Sequence, residues 1–397
     1  MQLAPLLTKA QVLPADAADA VLIGRVWLPG DPPGPTPVLV RGDEVHDLSS
    51  LAPTVAQLLE LYDLARQLAA LDGLRLIGRV EPLLAASMAD AAKAGGARFL
   101  APLDLQVVKA SGVTFVTSLL ERVIEEQARG DPARAQAIRA RIDSLVGGDL
   151  SAIRPGSEAA MALKKTLIEQ GAWSQYLEVG IGPDAEIFTK CPPMASVGVG
   201  ADIGILRSST WNNPEPEVVL LANARGEVLG ATLGNDVNLR DVEGRSALLL
   251  GRAKDNNASS AIGPFIRLFD GRFTIDTVRA AEVALRVEGD DGFVLEGVSA
   301  LSKISRDPLE IVRHAMNENH QYPDGLALYL GTMFAPIQDR DAPGQGFTHK
   351  PGDRVTISTP SLGALVNRVR YCDEIEPWTF GSGALMRNLA QRGLLKH

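Results

Sequence analysis

The chain reads as an α+β protein dominated by β-structure. A small α+β unit is expected over residues 1–97 and a larger, mainly β unit, a roll or a sandwich, over residues 98–397. Three observations predict this. Beyond about residue 185, short β-rich runs alternate with Gly, Asn, Asp and Pro. Few helical patterns interrupt them, which disfavours a doubly wound parallel sheet. A Gly95-Gly96 pair then marks a break after a first stretch of strands and Ala/Leu-rich helices.

Taken in order, Val21–Trp27 has the composition of a strand, and the Pro- and Gly-dense run from Leu28 to Pro37 is expected to be a rigid loop. Val38–Arg41, a Gly42-Asp43 turn and Glu44–Asp47 form a hairpin pattern. Residues 54–71 and 82–94 carry helical periodicity, as does 115–147, where charges are spaced among Leu, Val and Ile. Strands are expected at Val218–Leu221, Val228–Leu233, Phe273–Ile275, Leu326–Leu330 and Arg354–Ser358.

Composition narrows the function. Hydrophobic residues make up 46% and charged residues 22% of 397, enough for a sizeable core. Net charge is −9 and no basic block occurs, so neither nucleic acid nor an anionic membrane is expected as a partner. The longest apolar runs fall far short of the ~20 residues that span a bilayer. Met1–Leu13 lacks the order of a signal peptide, and the two cysteines, Cys191 and Cys372, make no disulfide framework. A reducing cytoplasm is the expected location. None of the five histidines is paired at ligand spacing, so a metal would need oxygen ligands.

The chemistry concentrates around Pro214-Glu215-Pro216-Glu217. Glutamates at i and i+2 in extended chain share a face. A turn at Asn223–Gly226 follows, then a second strand. In a hairpin centred near Arg225, opposed residue numbers sum to about 450. Glu215 is then expected near Asn235 and Asp236. Three carboxylates together raise one another's pKa, and a hard dication relieves that. Mg²⁺ suits a site that keeps open positions. The competing readings are a solvated acidic hairpin edge, or carboxylates paired to nearby Arg240 and Arg245. Lys254 is a plausible acid or base beside a dication, or a surface lysine in a polar loop. Lys190, ending a strand before a Pro-rich loop, reads as a surface charge or an anion ligand. Ser118 and Glu121, three apart, fit a capping box better than a functional pair on one helical face. Gly198-Val199-Gly200-Ala201-Asp202-Ile203-Gly204 is not a dinucleotide loop, because the third glycine falls one place late and no βαβ unit surrounds it.

The run from Phe188-Thr189-Lys190 through Pro214-Glu215-Pro216-Glu217 to Gly234-Asn235-Asp236-Val237-Asn238-Leu239-Arg240-Asp241 resembles the fumarylacetoacetate hydrolase superfamily, over roughly residues 105–390. The resemblance implies a mixed β-roll catalytic domain, a homodimer or homotetramer, and Mg²⁺ (with Mn²⁺ or Ca²⁺ as substitutes) held by Glu215, Glu217 and Asp236. Lys254 matches the family lysine, and Leu330-Gly331-Thr332 resembles its Thr-bearing strand end. The chain departs from the C–C-cleaving members, whose His-x-x-Glu activates water. Here Ser118 stands in the histidine's place while Glu121 remains. Serine is no base near neutral pH, which argues against hydrolysis.

Trp211–Glu217, Gly244-Arg245-Ser246 and Lys254–Ser259 are similar to the branch that dehydrates 2-keto-3-deoxypentonates derived from D-arabinonate or D-xylonate. That resemblance implies a hydro-lyase forming 2,5-dioxopentanoate. Its expected roles are Lys254 in C3 proton transfer, Glu121 with Glu186 at the leaving hydroxyl, and Lys190 and Thr332 on the substrate. The alternatives are a hydrolase or decarboxylase of a β-diketo or 2-oxo diacid on the same metal site, and a non-catalytic binding protein for acidic sugars.

Overall fold

The computed structural model describes residues 7–93, 95–129, 131, 134–135, 153–169, 173–334, 336, 338–344 and 346–395. The strands, in chain order, are β1 (Leu22–Leu28), β2 (Gly34–Arg41), β3 (Glu44–Asp47), β4 (Leu76–Arg79), β5 (Arg98–Phe99), β6 (Val107–Gly112), β7 (Glu186–Cys191), β8 (Asp202–Ile205) and β9 (Asn212–Asn213). They continue with β10 (Pro216–Ala222), β11 (Val228–Asp236), β12 (Asn238–Leu239), β13 (Ser260–Leu268), β14 (Glu282–Glu288), β15 (Val294–Ala300), β16 (Leu326–Tyr329), β17 (Arg354–Thr359) and β18 (Gly363–Tyr371).

Among the described residues these form an eleven-stranded sheet in the order β4-β3-β2-β1-β13-β11-β10-β16-β6-β7, with β5 added to β1, a five-stranded sheet β15-β14-β17-β18-β8, and a separate β9–β12 pair, antiparallel. The two larger sheets are mixed. β16 runs parallel to β6 and β18 parallel to β8, while the remaining pairs in the two sheets are antiparallel. One core lies between the two sheets, where Val218 and Leu220 of β10 share a cluster with Val283, Leu285, Val355 and Ile357. Val219 and Leu221 point the other way, into a second cluster closed by Leu58, Leu59, Leu64 and Leu68. Burial on both faces explains why residues 218–222 of β10 are an unbroken apolar run rather than an alternating one.

Most expected elements form. The hairpin of β2 and β3 turns at Gly42, whose φ of 55° is left-handed. Helices occupy Val55–Leu59, Leu64–Ala70 and Val80–Ser87. The Pro-rich run is a correction, because residues 34–37 belong to β2 and not to a loop. Pro35 and Pro37 pair with β1 on one side, while β3 pairs only with residues 38–41, so the missing N–H groups fall where no second neighbour needs them. The expected strand at Phe273–Ile275 is also absent, since Thr274 caps the helix Ile275–Arg279. The helix expected over 115–147 spans Val116–Ala128 and ends at Arg129, whose φ is 55°. Residues 136–147 of that expectation lie outside the described residues.

Residues 1–97 do not sit apart from the large sheet. β1 pairs with β13 through Leu22↔Arg267 and Ile23↔Ile266, so β1 to β4 extend the sheet that carries the β10–β11 hairpin. No helix among the described residues is long and apolar enough to cross a membrane.

The β10–β11 hairpin tolerates little change at its centre. A Cβ on Gly234 would lie 2.2 Å from Tyr329 Cε1 and 2.7 Å from Val219 Cγ2, and both side chains are buried. Gly234→Ala is expected to destabilise the fold by about 1–3 kcal/mol through overpacking, measured by denaturant unfolding.

Candidate functional site

Glu217 pairs with Gly234 and Pro216 with Asn235, so opposed numbers sum to 451, one from the expected register. Asn235 Oδ1 accepts from Glu215 N at 3.1 Å, and Asp236 N donates to Glu215 O at 3.1 Å, which closes the open end of the hairpin. Glu215, Glu217 and Asp236 thereby converge. All three are buried, and one oxygen of each lies within 4.8 Å of the others. The solvated-edge alternative fails on this burial.

Cations and one amide hold the cage. Lys254, from the helix Leu250–Lys254, reaches Glu215 Oε2 at 2.5 Å and Asp236 Oδ2 at 3.1 Å. It is buried, so the surface-lysine reading is excluded. Arg122 meets Glu215 Oε1, and Gly331 N donates to Glu217 Oε2 at 2.6 Å. Burial, reinforced by Asp236 and Glu215, pushes the Glu217 carboxyl well above its ordinary range. Glu215 is also raised by burial, against the pull of Lys254 and Arg122. Asp236 is lowered, because Lys190 and Lys254 outweigh its burial. Burial alone would lower Lys254, but Asp236, Glu215 and Glu243 hold it protonated in the absence of a dication.

Lys254, Glu186, Ser118 and Thr332 line one pocket with the three carboxylates. Glu186 begins β7, and burial, with repulsion from Glu243, raises its carboxyl to about 7. A folded-state pKa above the unfolded 4.5 contributes stability that is complete below about 4.5 and is lost as pH rises through 7. Glu186→Gln is therefore expected to gain thermal stability over the ion-free parent between pH 5 and 8, by up to about 3 kcal/mol. Melting curves at pH 5 and pH 8 check it. A gap that shrinks with pH would contradict the burial of this carboxyl.

Three expectations change. Ser118 is not a cap, because the helix Val116–Ala128 is preceded by Phe115 and Ser118 Oγ bonds back to Phe115 O at 3.0 Å. Glu121 is absent from the pocket lining and pairs with Arg240 at 3.4 Å. Lys190 is neither a surface charge nor a pocket residue. It is fully buried, lies 2.7 Å from Asp236 Oδ1, and donates to the carbonyls of Val237 and Lys254. With three acceptors for its three protons, it orients Asp236 rather than reaching a substrate.

Two pocket residues were not anticipated, Arg122 and Glu243. Arg122 contacts Glu125 at 2.6 Å and Glu243 at 3.1 Å as well as Glu215. Glu125 also pairs with Arg240 at 2.7 Å, and the Arg240 guanidinium lies 4.2 Å from the centre of the Trp211 ring. The available signal was the helical spacing of Glu121, Arg122 and Glu125. A roomier groove lies at the far end of the hairpin, but its walls are mostly apolar, from Val228, Phe269, Ile275, Leu309 and Val312, with Thr274 and Arg313 as its polar side chains and no carboxylate.

A buried three-carboxylate cage on a mixed β-roll defines the class. Residues 183–370 match the family model described as fumarylacetoacetate (FAA) hydrolase C-terminal. Two relatives match about half of the chain. A Haloferax volcanii protein named "Probable 2-keto-3-deoxyxylonate dehydratase" is 29% identical over 194 residues, covering 49% of this chain and 63% of the relative. A Saccharolobus solfataricus protein named 2-dehydro-3-deoxy-D-arabinonate dehydratase is 30% identical over 185 residues, covering 47% and 58%. The chain thus spans less than two thirds of either relative's length. A solved structure of 2-keto-3-deoxy-D-arabinonate dehydratase, complexed with magnesium and 2,5-dioxopentanoate, shares the fold at a TM-score of 0.60 and 21% identity, covering 88% of this chain and 99% of its own. Fumarylacetoacetate hydrolase from Exiguobacterium antarcticum aligns at a TM-score of 0.53 and 15% identity, covering 89% and 100%.

Proposed function

We propose that the protein is a Mg²⁺-dependent hydro-lyase that converts a 2-keto-3-deoxypentonate to 2,5-dioxopentanoate and water. The observation that carries this is one buried pocket joining Glu215, Glu217 and Asp236 to Lys254 and Glu186. The names of the two dehydratase relatives support the substrate class, and Ser118 in place of a histidine weighs against hydrolysis. Mn²⁺ or Ca²⁺ are substitutes for Mg²⁺, and a homodimer or homotetramer is the expected assembly. Residues 1–97 serve as an accessory unit extending the catalytic sheet.

Glu215, Glu217 and Asp236 fit a hard cation, being anionic oxygen donors whose mutual repulsion is only partly relieved by Lys190, Lys254 and Arg122. A dication held there would polarise the substrate C2 carbonyl and stabilise the charge that develops on its oxygen as the C3 proton leaves. Lys254 Nζ takes the C3 proton. Glu186, protonated up to about pH 7, gives its proton to the C4 hydroxyl, which departs as water. The Thr332 hydroxyl binds substrate, and the enone tautomerises to the dioxo product. Burial of the pocket keeps bulk water from competing for these protons.

The test is a coupled assay with each C4 epimer and an aldehyde dehydrogenase that consumes the product. EDTA-sensitive turnover, restored by Mg²⁺, is expected. Pyruvate in place of dioxopentanoate would replace this reading with C–C cleavage.

A further inference from the structure

We propose that Arg122 is a displaceable guard of the carboxylate cage, and that it also anchors the anionic end of the substrate. In the ion-free cage both oxygens of Glu215 are occupied, Oε1 by Arg122 and Oε2 by Lys254. A dication bound by Glu215 would repel both of these cations and compete with them for its charge. Lys254 bridges two ligands, Glu215 and Asp236, and so is the harder to move. Lys190 is sealed beneath the cage by Asp236 and two carbonyls.

Arg122 differs from both lysines in having a second seat. Its Nη1 lies 2.6 Å from Glu125 Oε2 and 3.1 Å from Glu243 Oε2, so it can leave Glu215 and keep two carboxylate partners. Only a guanidinium offers enough donors, in a rigid fork, to hold one set of acceptors while surrendering another. Arg122 also lines the pocket, and its side chain keeps 13% exposure. The Nη2 released from Glu215 would stay on a side chain that lines this pocket, and a guanidinium there is a strong donor to a carboxylate. The guard therefore couples the two binding events. Cation binding frees the group that receives the substrate anion.

This inference rests on the cation reading of the cage, and two measurements separate them. Isothermal titration of ion-free protein with MgCl₂ comes first. Arg122→Met is expected to bind Mg²⁺ roughly tenfold more tightly, about 1.4 kcal/mol, because the competitor for Glu215 is gone. With Mg²⁺ saturating, the same variant is expected to bind 2-oxobutyrate roughly tenfold more weakly. A purely structural role for Arg122 would weaken both. Unchanged or weaker Mg²⁺ binding overturns the guard, and unchanged 2-oxobutyrate binding overturns the anchor. If Asp236→Ala binds Mg²⁺ as well as the parent does, the cage reading itself fails. Should Arg122→Met not fold, crystals of the parent grown with and without Mg²⁺ decide. The Arg122–Glu215 contact is expected to break while those to Glu125 and Glu243 persist, and a contact that survives with Mg²⁺ bound overturns the proposal.

Discussion

Replacing Glu217 by Gln is expected to remove Mg²⁺ binding and yet to stabilise the ion-free fold. The two effects have one cause. Glu217 is the carboxyl most disfavoured as an anion, raised by burial and then by Asp236 and Glu215, and without a cation the fold carries that cost at neutral pH. Gln keeps the size and the acceptor for Gly331 N, which now sits 2.6 Å from Glu217 Oε2, and drops the charge. The ion-free melting temperature is expected to rise by a few degrees. The upward shift that Mg²⁺ gives the parent is expected to disappear, because one of three anionic ligands is lost. Turnover is expected to fall by about three orders of magnitude, as several kcal/mol of charge stabilisation is removed. Asp236→Ala contrasts with it. Asp236 is lowered by Lys190 and Lys254, so its loss costs ion-free stability as well as the cation. Calorimetry with and without Mg²⁺ on both variants reads the two signs. A Glu217→Gln protein that is less stable than its parent without Mg²⁺ would contradict the cage electrostatics.

The parts of this site that lie on one hairpin were legible in the sequence. Two glutamates at i and i+2, a four-residue turn and an aspartate 19 residues after Glu217 fix the cage, since antiparallel pairing is close to arithmetic. The bulge between Leu221 and Ala222 accounts for the single-residue offset. Parts assembled from distant elements were less legible. Arg122 meets Glu215 across 93 positions, and nothing local marks that contact. Lys190 shows the converse. Its place at the end of β7 was readable, but its depth was not, because three acceptors beneath it come from Asp236, Val237 and Lys254. Pro35 and Pro37 misled for a similar reason. Proline is a loop signal only when both sides of the strand need donors, and sheet order decides that.

Lys254→Met is expected to lower turnover by about two to four orders of magnitude while leaving Mg²⁺ bound. Met is close to Lys in length and fills the same buried space beside Phe188, whose ring centre lies 5.7 Å from Nζ. The variant therefore removes the ammonium without opening a cavity. In the ion-free protein Asp236, Glu215 and Glu243 hold Lys254 protonated, and an ammonium cannot accept the C3 proton. A dication held there would share the charge of two of these three carboxylates, which would weaken their hold on the Lys254 proton and favour the neutral amine that the proposed step needs. Its removal should also relieve competition for the cage, so Mg²⁺ affinity is expected to hold or rise. That separates this variant from Glu217→Gln, which loses turnover because it loses the ion. The decisive readout is exchange of the C3 protons in ²H₂O, followed by proton NMR on a substrate or a 2-oxo acid that lacks the C4 hydroxyl. Exchange persisting in Lys254→Met would assign the proton to another group, and Glu186, a carboxyl of the same pocket, would be the next to replace.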